Sequence, residues 1–102
     1  MMIEASYKTK RHYKSLLNET ICALEKVCKE EPTTLFLIFY HQLVDLRLNV
    51  VELEILREWD EINERYSFPG LAAKNLDEDN ELRQKLSEVF YGAIHYFEYP
   101  DK

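Results

Sequence analysis

Apolar residues recur every three or four positions in stretch after stretch of this chain, and that period commits it to helices. Tyr13, Leu16, Leu17, Thr20, Leu24, Val27 and Cys28 share one face of a segment that begins near residue 6 and stops before Pro32. Proline lacks the amide donor a helix needs and disfavours helix in the residue before it, so it marks an end. Thr33 or Thr34 can then cap a second helix, "TLFLIFYHQLVDLRL". Its apolar side chains reach almost all round, leaving a narrow polar strip of His41, Gln42 and Asp45. A helix of that kind sits at the centre of a bundle or is covered in part by a second copy of the chain, as a homodimer. Leu37, Val44 and Leu48 are the residues a small bundle would leave over, because they lie on a different side from Phe36, Phe39 and Leu43.

Asn49 followed by Glu52 matches a capping box, which predicts that helix two ends near Leu48 and a third begins. Val51, Ile55, Trp59, Ile62 and Tyr66 then form its core face, with Trp59 as an anchor. "SFPGLAAKNL" carries Pro69-Gly70 and reads as the one substantial loop. Asp77 and Asp79 suit the start of a last helix, whose stripe is Leu82, Leu86, Val89, Phe90, Ala93 and Phe97. Tyr91 and His95 point elsewhere, and "YFEYPD" is expected to tuck its aromatics over the bundle's end. The expectation is a single domain, 1–102, all-α, an antiparallel four-helix bundle with helices near 6–30, 34–48, 50–67 and 77–98. Only 2 glycines and 3 prolines, with 46% hydrophobic residues, exclude a disordered or low-complexity chain.

The net charge of -6 is unevenly placed. Residues 1–51 hold 7 Lys and Arg against 6 Asp and Glu, whereas residues 52–102 hold 6 against 13. Acid repels phosphate, so direct nucleic-acid binding is not expected; the basic "YKTKRHYK" reads as a helix start. The expected third helix carries six carboxylates and two arginines. Arg57–Glu61 and Glu61–Arg65 are spaced to pair, each worth only ~0.3–0.5 kcal/mol, while Glu54–Glu58 and Asp60–Glu64 repel by similar amounts. The surplus acid is therefore not optimal for the helix alone, and it is either an ordinary solvated face or an interaction surface. With Leu53 as an apolar point in a charged rim, Glu54, Glu58, Asp60, Glu61 and Glu64 are the expected binding surface for a basic protein partner.

Nothing in the chain spells out catalysis. There is no glycine-rich phosphate loop, no E-x-x-H or H-E-x-x-H, and no G-x-S-x-G. "DEDNE" is not followed by the glycine of a calcium loop. His41 and Asp45 are spaced to share a hydrogen bond, but no nucleophile can be placed beside them. No enzyme activity, metal or cofactor is expected. Cys22 and Cys28, one opposite the first stripe and one in it, read as structural thiols that cannot staple a secreted fold. No signal-peptide core opens the chain and no run approaches the ~20 apolar residues of a membrane span, so the expected compartment is the cytoplasm.

"RLNVVELEILREWDEINER" and "LDEDNELRQKLSEVF" resemble the colicin D type of bacterial immunity protein. The likeness lies in a capping Asn, an E-hydrophobic-E motif and a tryptophan on one helix, then a matching start to the last helix. It covers about half the chain. The resemblance implies a small acidic helical bundle that binds and blocks a tRNA-cutting toxin domain. This sequence departs from it in a longer N-terminal helix and an aromatic tail. "TICALEKV" and "DLRL" resemble the Hha family of small helical modulators of nucleoid proteins, but the spacing differs and the acidic half has no counterpart there.

Overall fold

Residues 9–100 are described by the structure, a computed structural model. The described residues are all-α, with no strand among them. Among the described residues five α-helices are present instead of four: α1 (Lys10–Glu30), α2 (Thr34–Leu46), α3 (Trp59–Arg65), α4 (Phe68–Asn75) and α5 (Glu81–Ile94). A π-helical turn, Arg47–Glu52, prolongs α2, and a 3-10 turn, Tyr96–Glu98, follows α5. The expected helix start at residues 6–8 lies outside the described residues.

The local chemistry sets most boundaries. Thr9 caps α1 by accepting from the His12 amide at 3.1 Å, and Thr33 caps α2 by accepting from Phe36 at 3.3 Å. Asn18, in the first half of α1, meets Arg47 just past the end of α2, whereas Cys28, near the end of α1, shares a groove with Leu37 and Tyr40 of α2. The two helices therefore pass each other in opposite senses. α1 also packs on α5, and α4 packs on both α2 and α5. Tyr13, Leu17, Leu24, Phe39, Leu43, Leu46, Leu86, Val89 and Ala93 are buried between them, largely the stripes the sequence predicts. The Tyr13 hydroxyl enters this core and donates to the Val89 carbonyl at 2.7 Å. The tail does tuck back: Tyr96 is buried and stacks on Tyr13 at 5.6 Å, and the Lys10 amide donates to the Pro100 carbonyl at 2.8 Å.

Several expectations are corrected. Asn49 does not cap a helix; it is buried within the π turn, where its side chain donates to the Asp45 carbonyl at 2.9 Å. Continuing the helix for a wider turn keeps both Leu46 and Val50 in the core. The chain then leaves the helix at Leu53, and residues 54–57 carry no helical structure. Helix three is consequently short, and its phase is not that of a helix begun at residue 50. Ile62 and Tyr66 are buried as expected, but Ile55 and Trp59 are exposed. The predicted loop after Tyr66 is a helix, with Pro69 in its first turn, where a missing amide costs nothing. Asn80, not Asp77 or Asp79, caps α5 by accepting from the Arg83 amide at 3.1 Å. Leu37 and Leu48 are exposed on α2 and the π turn, while Val44 is half-buried against the core.

Candidate functional site: an exposed acidic segment

The expected site residues fall on one continuous segment, but not on one helix face. Leu53 and Glu54 belong to the link after the π turn, Glu58 immediately precedes α3 without a side-chain capping bond, Asp60 and Glu61 occupy its first turn, and Glu64 lies near its end. All six are exposed. Two residues that helical periodicity had assigned to the core join them. Trp59 is 60% exposed and Ile55 63%, beside Leu53 at 55%.

The segment is held in place at several points. The Asn49 carbonyl accepts from the amides of both Ile55 (2.9 Å) and Leu56 (3.1 Å), which folds the chain back after the π turn. Glu54 takes the left-handed conformation there, with φ of 56°. Leu56 packs on the core, and the Arg57 guanidinium lies 4.4 Å from the centre of the Phe97 ring. Cation–π contact of this kind contributes ~0.5–1 kcal/mol at an exposed site. Beyond Trp59, buried Ile62 and Tyr66 fix α3 against α5.

Asp45 fastens the far end. It accepts from Arg65 Nε at 2.7 Å, from Arg65 Nη2 at 3.0 Å and from the Tyr66 hydroxyl at 2.7 Å. Gln42 supports the next turn: its Oε1 accepts from the amides of Ser67 and Phe68, and its Nε2 donates to the Ser67 hydroxyl. The polar strip of helix two is thus the seat of α3 and α4. Asp45 is engaged by these donors, and no dyad with the exposed His41 forms. Arg65 is committed to Asp45 and Arg57 to Glu54 at 3.5 Å, so neither makes the predicted pair with Glu61. Among the described residues Glu58, Asp60, Glu61 and Glu64 have no ion-pair partner.

The Arg65 guanidinium holds the Asp45 carboxyl below the usual carboxylate range, with help from the Tyr66 hydroxyl and against the opposing effect of burial. Burial, then the hydrogen bond to Asp45, pushes the Tyr66 phenol up. Because the folded Asp45 titrates below its unfolded value of ~3.9, its stabilisation is present above that pH and lost as pH falls through the folded value. The side chains of Asp45 and Arg65 are 36% and 48% exposed, so solvent screening limits the pair. Asp45→Asn is expected to cost about 1 kcal/mol near neutral pH, with the gap to wild type closing below about pH 4. Urea midpoints measured across that range check it; a gap that does not change with pH would mean that the charge contributes nothing.

Among the described residues, no group of three or more His, Cys, Asp or Glu side chains could hold a metal, and no helix is long and apolar enough to cross a membrane. Burial pushes the Cys28 thiol up. Cys22 is exposed on α1. Comparison with protein-family models, curated proteins and solved structures gives no match to this chain.

The sequence named the acids but missed Ile55 and Trp59. One signal was available: Glu52-Leu53-Glu54-Ile55 alternates acid and apolar with a period of two, which is not helical spacing.

Proposed function

We propose that this protein is a binding module rather than an enzyme, and that its segment from Leu53 to Glu64 docks on a basic surface of another protein. One observation carries the reading: Leu53, Ile55 and Trp59 stand exposed on a segment whose carboxylates Glu58, Asp60, Glu61 and Glu64 have no ion-pair partner among the described residues. Large apolar side chains, tryptophan above all, supply the central energy of protein interfaces. The surrounding acid supplies steering and selects a partner of opposite sign. Anchoring through Asn49, Arg57 and Asp45 supports the same reading, since a segment already ordered loses less entropy on binding. The bundle arrangement belongs to this proposal as its scaffold, with α1, α2 and α5 as the long members.

The resemblance to colicin D-type immunity proteins makes a nuclease toxin domain the preferred partner, with the acids occupying positions that a nucleic-acid backbone otherwise takes. The Hha-like alternative gives the acidic segment no role and ranks below it. The test uses the chain's single tryptophan. Trp59 emission should shift to shorter wavelength and saturate when a basic nuclease domain encoded in the adjacent reading frame is added. An emission spectrum unchanged at stoichiometric complex, with binding shown independently, would place the interface elsewhere.

A further inference from the structure

Away from the acidic segment's exposed residues, α1 and the π turn enclose a cleft of about 360 Å³ lined by Lys14, Leu17, Asn18, Arg47, Val51 and Glu52. That size lies in the range of small-ligand sites, roughly 300–1,000 Å³. A π turn is a rare element that often marks functional sites, because widening the helix re-aims its side chains. Here the turn directs Arg47, Val51 and Glu52 to the side that meets α1. We propose that this cleft binds a small organic monocarboxylate, with its carboxylate on Lys14, Asn18 and Arg47 and its short apolar body on Val51.

The donors are arranged for this. Arg47 Nη1 donates to Asn18 Oδ1 at 2.9 Å, which orients the guanidinium across the cleft. Its Nε forms an ion pair with Glu52 at 3.7 Å, longer than a hydrogen bond, so the guanidinium keeps hydrogen-bonding capacity there. Lys14 is exposed and has no ion-pair partner among the described residues. The Asn18 amide nitrogen has no hydrogen-bond partner among them either. A guanidinium, an ammonium and an amide N–H₂ that converge on one cleft match a carboxylate's lone pairs.

Charge and surface then narrow the ligand class. Lys14 and Arg47 against Glu52 leave one positive charge over, which a single carboxylate neutralises and a dianion exceeds. Leu17 is fully buried beneath the cleft, so half-buried Val51 supplies its accessible apolar surface. Val51 thus offers an apolar wall that an inorganic anion cannot use. A neutral apolar ligand would use the wall but leave both cations uncovered.

The proposal does not rest on the docking reading, and its test is separate. Isovalerate is titrated into the full chain labelled in its methyl carbons and amide nitrogens. The Leu17 and Val51 methyl signals and the Asn18 side-chain amide should shift together and saturate. Lys14→Met, at an exposed position, should weaken the apparent affinity about tenfold, the loss of one charge-assisted contact. Glu52→Gln should tighten it, because the competing acid beside Arg47 is gone. Shifts that never saturate, or an affinity that Lys14→Met leaves unchanged, would overturn the proposal. Inorganic phosphate binding as tightly as isovalerate would overturn it as well, since the apolar wall would then contribute nothing. An unchanged amide spectrum outside the cleft shows that each variant is folded.

Discussion

Replacing Phe68 by alanine is expected to cost about 3–5 kcal/mol, the range for removing a buried aromatic ring. Against a total stability of roughly 5–15 kcal/mol for a domain of this size, that is enough to leave a substantial unfolded fraction. Phe68 is fully buried, lies edge-on to Phe90 at 5.8 Å between ring centres, and neighbours Tyr66 at 6.2 Å. It is the first residue of α4, so its ring joins α4 to α5, while its amide donates to Gln42 on α2 at 2.9 Å. Truncation opens a cavity where three elements meet, and little there can collapse to fill it. Urea unfolding should show the midpoint falling while the slope stays constant. A loss below about 1 kcal/mol would mean that Phe68 is peripheral, as a loop residue would be.

That residue also marks where sequence reading failed. α1, α2 and α5 were legible because each carries an unbroken 3.6-residue stripe, and Tyr13, Leu17, Phe39, Leu43, Leu86 and Val89 are buried accordingly. Between residues 47 and 76 the stripe logic assumed a constant phase. The π turn adds a residue to one turn, and the break at Leu53 resets the wheel, so Ile62 and Tyr66 face in while Ile55 and Trp59 do not. Pro69-Gly70 is a loop signal by composition, but proline in a first helical turn is as consistent with a start. Arg65 was assigned the nearest acid at helical spacing, whereas its partner, Asp45, lies 20 residues away in the chain. Local spacing cannot reveal a pair that exists only after α3 has docked. The acidic side chains were legible because charge needs no phase to be counted. The apolar centre they surround was hidden by the same helical assumption that placed Trp59 in the core.

The interface proposal makes its largest prediction at that centre. Trp59→Ala is expected to weaken binding of the basic partner by about 2–4 kcal/mol, roughly thirty- to a thousandfold. Combining Leu53→Ala with charge reversal of Glu58 and Glu61 should abolish measurable binding. The two kinds of change act on different rates. Loss of Trp59 or Leu53 removes buried contact and raises the dissociation rate. Reversing Glu58 and Glu61 removes long-range attraction, which slows association and flattens its dependence on salt, since the Debye length is only ~8 Å at physiological ionic strength. None of the four side chains is buried in the free protein, and neither Glu58 nor Glu61 has an ion-pair partner among the described residues. Each single change should therefore leave the unfolding free energy from urea titration within about 0.5 kcal/mol of wild type. Stopped-flow association at low and physiological salt, with circular dichroism as the control for folding, separates these effects. If the Leu53, Glu58 and Glu61 variant binds at wild-type affinity, the acid is only a solvated surface and Trp59 is exposed for some other reason. If Trp59→Ala alone is neutral while the charge reversals abolish binding, attraction between opposite charges carries the interface, and the apolar centre does not.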